Sequence, residues 1–146
     1  MPERMTPDTE NIADQLHSLA IHLLRKLRRE DESSGLNAPR LSALSVIVFG
    51  GPVTLGDLAS AEQVRPPTMT RIVNALEEQG LVTKTKNATD ARSSHLSATP
   101  AGKQLLIEGR ERRVRALAKR IGELDAKAQA TLQEAAEILK SVVRAI

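Results

Sequence analysis

Apolar residues recur every three or four positions over most of this chain, and this period constrains its fold more than any other feature. The first such stripe, within residues 9–29, consists of Ile12, Leu16, Leu19, Ala20, Leu23 and Leu27. Further stripes consist of Met69, Ile72, Val73 and Leu76; of Val114, Leu117, Ile121 and Leu124; and of Leu132, Ala135, Leu139, Val142 and Ile146. Because an α-helix has about 3.6 residues per turn, each stripe lies along one helix face. The period therefore predicts a mainly helical protein.

The composition narrows the fold further. Phe49 is the single aromatic residue, so the core must consist of Leu, Ile, Val and Ala, which suits packed helices. The chain contains no Cys, which excludes disulfides, thiolate metal sites and thiol redox chemistry. No apolar run approaches the ~18 residues of a membrane span, and the polar start MPERMTPDTEN does not resemble a signal peptide. We therefore expect a cytoplasmic protein with no membrane partner.

Cap and turn residues divide the middle of the chain into short elements. Asn37 and Pro39 open a helix that runs to Phe49, and its nearly continuous apolar sequence predicts that it is buried. The sequence TLGD at 54–57 is a variant of the capping box and opens a short helix that ends near Glu62. The stretch RPPTMTRIVNALEEQGLV, residues 65–82, follows as a helix that ends at Gly80.

Two short strands and a long helical region complete the chain. Residues 81–86 and 95–98 alternate in polarity and enclose the polar loop NATDARSS, which predicts a hairpin. Thr99 and Pro100 form a helix cap followed by proline at the first helical position. The remainder, about 101–146, is predicted to be helical with a break near 122–125.

The helix within RPPTMTRIVNALEEQGLV has two contrasting faces. At about 100° per residue, the face opposite the apolar stripe carries Pro67, Thr70, Arg71, Asn74 and Glu78. In a DNA major groove, Arg pairs with guanine, Asn pairs with adenine, and a Thr methyl contacts the thymine methyl. The acids near the helix end would repel phosphates, so only the first half suits a groove. An ordinary amphipathic surface helix is the alternative.

The order of the elements favours DNA binding over that alternative. A short capped helix, a tight turn and a second helix with Arg71 on its exposed face form a helix-turn-helix, and the hairpin after it is a wing. Arg92 in the hairpin loop suits a phosphate or minor-groove contact. Lys84 and Lys86, on the outgoing strand, suit phosphate contacts.

Three motifs resemble those of the MarR family of winged helix-turn-helix regulators: TLGDLASAEQVRPPTMTRIVNALEEQGLV, the wing sequence DARS at 90–93, and TPAG at 99–102. The resemblance covers residues 9–146. It implies a homodimer that binds a pseudo-palindromic DNA operator, usually as a repressor. In many members of the family, a small anion, often phenolic, releases the dimer from the DNA. The expected DNA contacts are Arg65, Pro66, Thr68, Thr70, Arg71 and Arg92, with Asn74 added from helix geometry and Lys84 from its place on the strand.

The expected organisation is a single domain, 1–146, mainly α with a small β-hairpin wing. Dimerisation helices in 9–36 and 101–146 flank a winged helix-turn-helix lobe, 37–100. The residues expected at the dimer contact are Ile12, Leu16, Leu19, Leu132, Leu139, Val142 and Ile146. Packing within one chain would also suit these stripes, and the resemblance favours the dimer. A small-molecule effector of unknown identity is a further expected partner, although the chain lacks the aromatic lining that the family's ligand pocket often has.

Two other classes of function fit less well. An enzyme is disfavoured because the chain has no Cys nucleophile, G-x-S-x-G turn, P-loop or G-x-G-x-x-G sequence. His17 and His22 do not share a helix face as metal ligands at i and i+4 would, so no metal or cofactor is expected. A dimeric protein-interaction or architectural module would carry a large apolar anchor where this helix exposes Thr70, Arg71 and Asn74.

Overall fold

The structure is a computed structural model that describes residues 7–86 and 94–146. Its elements in chain order are α1 (Pro7–Leu27), a 3-10 helix (Arg28–Ser34), α2 (Ala38–Gly50), β1 (Val53–Thr54), α3 (Leu55–Glu62), α4 (Pro66–Glu78), β2 (Val82–Lys86), β3 (Ser94–Ala98), α5 (Pro100–Gly122) and α6 (Ala126–Ala145). The fold is mainly α with one small antiparallel sheet, as the apolar periods predict. The chain forms two compact units: one is Arg28–Glu111, and the other combines α1 with Arg112–Ile146.

The core of the first unit lies where α2, α3 and α4 pack together over the sheet. Its buried side chains are Leu36, Ala43, Leu44, Ile47, Leu58, Ala59, Met69, Val73, Leu76, Leu81, Val82 and Leu96. The predicted inner face of α4 is confirmed, since Met69, Val73 and Leu76 are fully buried and Ile72 packs against them half-buried. Burial of this face fixes which side of α4 is turned outward.

The sheet has three strands, whereas the sequence predicts two. Its order is β1-β3-β2, and both pairings are antiparallel. The prediction missed β1 because this strand has only two residues, too few to show an alternating pattern. Val53 pairs with Leu96 and Thr54 with His95, so the strand exists through contacts distant in sequence.

Side-chain caps begin the helices where the sequence predicts them. The Asn37 side chain accepts a hydrogen bond from the Arg40 N–H at the start of α2. Thr54 accepts one from the Asp57 N–H at the start of α3, at 3.1 Å between Oγ1 and N. The predicted break after α5 is also confirmed, because Asp125 caps α6 by accepting from the Ala128 N–H at 2.7 Å.

The prediction that α2 is buried as far as Phe49 is wrong. The Phe49 side chain is 80% exposed, although Ala43, Leu44 and Ile47 on the same helix are buried. Those three residues follow the helical period, while Phe49 lies two positions beyond Ile47 and therefore about 200° around the helix. A helix with apolar residues on every side still turns only one side to the core.

The second unit consists of helices whose apolar residues are largely exposed. Neither α1 nor α6 contains a buried residue. Ile12 and Leu19 on α1 are 58% and 62% exposed, and Leu132 and Val142 on α6 are 44% and 49% exposed. The two helices thus have apolar stripes that the single chain leaves open to solvent.

Candidate nucleic-acid interface

The start of α4 is exposed and begins with two prolines. Arg65 is the N-cap residue with extended backbone and no side-chain cap, and its carbonyl oxygen accepts from the N–H groups of Thr68 and Met69 at 3.0 and 3.1 Å. Pro66 and Pro67 occupy the first two helical positions, where a missing N–H removes no helical hydrogen bond. The side chains of residues 65–68 are all exposed. The helix therefore presents a fixed first turn with a cation beside it.

The next turn of α4 exposes Arg71 and fixes the hydroxyl of Thr70. Arg71 is exposed and has no side-chain hydrogen bond to any residue that the structure describes. The half-buried Thr70 donates its hydroxyl to the Pro66 carbonyl oxygen at 2.9 Å. Because that bond uses the hydroxyl hydrogen, Thr70 offers a bound partner its methyl group and its oxygen as an acceptor. Arg71 keeps all its donors available.

A hydrogen bond joins the middle of α4 to strand β2. The Lys84 Nζ donates to the Asn74 Oδ1 at 3.0 Å, and both residues are exposed. The alternation along β2 explains the contact: Val82 is buried against the core, and Lys84, two residues on, lies on the same side of the strand. The sequence singled out both residues separately and did not predict that they meet.

The end of α4 is a Schellman motif that redirects the chain into β2. The Leu81 N–H donates to the Leu76 carbonyl oxygen at 3.0 Å, and the Gly80 N–H donates to that of Glu77 at 2.9 Å. Gly80 has a φ of 71°, which glycine adopts without steric cost. Glu77 and Glu78 are exposed on this last turn. This tight reversal brings β2 back beside the helix that precedes it.

Thr99 ties the α4–β2 turn to the start of α5. Its hydroxyl donates to the Gly80 carbonyl oxygen at 2.6 Å and accepts from the Gly102 N–H at 3.1 Å. A Cβ atom at Gly102 would collide with the Leu81 carbonyl oxygen, so glycine allows α5 to approach the turn closely. The sequence identified Thr99 only as a cap; its second bond depends on a residue nineteen positions away.

The remaining candidate residues are dispersed. Arg92 and the other residues of the wing loop that the sequence singled out lie outside the described residues. His17 and His22 lie on α1 and His95 lies on β3. Within 7–86 and 94–146, no three His, Cys, Asp or Glu side chains come together as a metal site. Over the same residues, no helix is both long and apolar enough to span a membrane.

The chain is similar to known regulators over nearly its whole length. A model of the MarR family matches residues 36–94. An HTH-type transcriptional regulator of Mycobacterium tuberculosis is 32% identical over 139 residues, which span 95% of this chain and 97% of the relative. A transcriptional regulator of Thermotoga maritima is 24% identical, with a TM-score of 0.83 and coverage of 92% of this chain and 95% of that chain.

A mutant of MepR from S. aureus, solved bound to an oligodeoxyribonucleotide, shares the fold at 16% identity. Its TM-score is 0.72, with 90% of this chain and 97% of that chain covered.

The capped α3, the polar outer face of α4 and the β2–β3 hairpin define the class of winged helix-turn-helix proteins. The chain belongs to the MarR family, and it is a DNA-binding transcriptional regulator rather than an enzyme.

Proposed function

We propose that the protein is a homodimeric repressor that recognises a pseudo-palindromic operator through the first half of α4. One observation carries this proposal: the outer side of α4 is small, polar and cationic at its start, is hydrogen-bonded to β2 through Asn74, and is acidic at its end. A helix that reads bases needs that polarity, because its first turns enter the major groove while its last turn must avoid the phosphates.

The exposed side chains suggest separate roles in binding. The exposed guanidinium of Arg71 suits the O6 and N7 atoms of guanine, and the Thr70 methyl suits the thymine methyl. Arg65, Pro66 and Thr68, at the exposed helix start, suit phosphate or base contacts there. Lys84 and Arg92 would contact phosphates from the wing. These assignments are part of the proposal.

The dimer is proposed to form through residues 9–36 and 101–146, which flank the DNA-binding lobe, 37–100. Its support is the open apolar surface of α1 and α6. Of the expected contact residues, Ile12, Leu16, Leu19, Leu132, Val142 and Ile146 are 37–101% exposed, and Leu139 is half-buried. Exposed apolar stripes along helices are a common mark of interaction surfaces in soluble proteins. A symmetric dimer would cover it and would match the symmetry of an inverted repeat.

Repression follows in this proposal from occupancy of the operator, and the protein acts in the cytoplasm, where the DNA is. A small-molecule effector would act by changing the separation of the two α4 helices, which must enter successive grooves together. Because the lone aromatic residue Phe49 is 80% exposed, an aliphatic anion suits this chain better as an effector than a phenolic anion that needs stacking. No residue is assigned to its site.

The proposal predicts that Arg71→Ala weakens operator binding by ~1–3 kcal/mol and relaxes preference at one base pair. Fluorescence anisotropy on operator and on random duplex of equal length, at one salt concentration, measures both effects. Arg120→Ala is the matched control, since it removes the same charge from an exposed side chain that pairs with Glu123 at 3.2 Å. Equal losses on operator and random DNA for Arg71→Ala would show that Arg71 contacts phosphate only. A protein-interaction or architectural module would bind neither duplex specifically.

A further inference from the structure

The hydrogen bond between Lys84 and Asn74 determines which atoms of the Asn74 amide remain available. We propose that Lys84 is a positioning residue for base specificity: it holds the Asn74 oxygen and so leaves the Asn74 amino group to meet the bases. This inference rests on the proposed entry of α4 into the major groove. It changes the expectation, drawn from the sequence, that Asn74 pairs with adenine.

The orientation of the amide follows from the chemistry of its partner. A lysine ammonium has three donors and no acceptor, so the Asn74 atom 3.0 Å from Nζ must be the oxygen. The nitrogen of a planar amide lies on the other side of the side chain, directed away from Lys84. Asn74 is exposed, and neither of its amino hydrogens is engaged by a residue that the structure describes. Two amide donors of this exposed residue therefore remain available to a bound partner.

That arrangement changes which base Asn74 prefers. Pairing with adenine requires both amide atoms, because the oxygen accepts from N6 while the nitrogen donates to N7. With the Lys84 ammonium on one lone pair of the oxygen, the adenine amino group would have to donate to the second lone pair beside a cation, which repels its hydrogens. The outward amino group instead matches acceptors, namely O6 and N7 of guanine or O4 of thymine. Cytosine presents an amino donor and is disfavoured.

Strand β2 provides a matched control for the charge of Lys84. Lys86 lies two residues further along β2, so it is on the same side of the strand and carries the same charge. A lysine that only attracts phosphate affects every DNA sequence alike, because the phosphate contribution is independent of sequence. Lys84 and Lys86 therefore differ in one testable respect: only Lys84 is bonded to a residue on the outer face of α4.

The test is selection from a random duplex pool with the full-length wild type, Lys84→Met, Lys86→Met, Lys84→Arg and Asn74→Ala. We expect the wild type to enrich guanine or thymine at one position of each half-site. Lys84→Met should shift that position toward adenine by about tenfold, within the range of one two-bond base contact. Lys86→Met should weaken binding without changing the base preference at that position. Lys84→Arg should keep the wild-type base preference, and Asn74→Ala should abolish that preference.

A motif that is identical for wild type and Lys84→Met would overturn the inference while leaving the proposed function intact. Adenine or cytosine at the wild-type position would overturn it as well. If the wild type enriches no motif, the proposed function fails and the inference fails with it. The NMR signals of the Asn74 amino group separate these cases without DNA: we expect Lys84→Met to move them and Lys86→Met to leave them unchanged. Unmoved signals in Lys84→Met contradict the inference directly.

Discussion

Replacement of Thr99 by valine tests how the turn after α4 is held to the start of α5. Valine has nearly the same shape as threonine but cannot hydrogen-bond, so Thr99→Val removes the bond to the Gly80 carbonyl oxygen and the cap on the Gly102 N–H together. These bonds join the turn after α4 to the start of α5. We expect the variant to fold and to be less stable than the wild type.

The size of the effect follows from the two bonds. Loss of a side-chain N-cap typically costs about 1 kcal/mol, and a net protein hydrogen bond contributes ~0.5–1.5 kcal/mol. Gly80 is exposed, so water can replace Thr99 at its carbonyl oxygen, and the second contribution falls in the lower half of that range. We therefore expect Thr99→Val to lower the free energy of unfolding by ~1–2 kcal/mol.

Urea unfolding followed by circular dichroism measures this change. All variants are compared at one protein concentration, because the proposed dimerisation would make apparent stability depend on concentration. Thr99→Ser keeps the hydroxyl and should stay close to the wild type. Thr131→Val is the matched control: the Thr131 hydroxyl donates only to the Lys127 carbonyl oxygen of its own exposed helix, and we expect a change within about 0.5 kcal/mol. If Thr99→Val and Thr99→Ser unfold at the same urea concentration, the two hydrogen bonds do not stabilise the lobe.

Two further predictions concern packing and assembly. Gly102→Ala should lower the free energy of unfolding by ~1–3 kcal/mol in the same urea assay, because its Cβ would collide with a backbone carbonyl. Gly122→Ala is the control and should be neutral or stabilising, because its Cβ would meet open space. Equal effects of the two substitutions would contradict the predicted collision at Gly102. Leu19→Lys should convert the proposed dimer to a monomer in sedimentation velocity, because it places a charge on the open stripe of α1. Phe49→Lys, an equally drastic change at an exposed residue of α2, should remain dimeric. If Leu19→Lys also remains dimeric, Leu19 of α1 does not lie in the dimer interface.

Local patterns were sufficient for most of the helices. The inner face of α4 follows from the spacing of Met69, Val73 and Leu76, and the helix starts follow from caps such as Asn37 and Thr54. Each of these signals lies within a few residues of the feature that it predicts. The periodic pattern is reliable for this reason, since neighbours along a helix are also neighbours in sequence.

Contacts between distant residues were not predictable in the same way. Strand β1 forms because Val53 meets Leu96, and Phe49 is exposed because the core contacts only one side of α2. The Lys84–Asn74 bond required two facts together, namely the Schellman reversal at the end of α4 and the register of β2. The DNA contacts and the dimer residues named from the sequence stay predictions, which depend on partners that the single chain does not include.

Selection of wild-type binding sites from a random duplex pool tests whether the protein recognises a specific DNA sequence. The selection is performed at ~150 mM salt, where nonspecific attraction to phosphate is weakened and base readout decides enrichment. We expect an inverted repeat whose half-sites are about ten base pairs apart, as two symmetry-related α4 helices in successive major grooves require. A pool without an enriched sequence, together with weak binding that disappears as salt is raised, would contradict sequence-specific regulation by this protein.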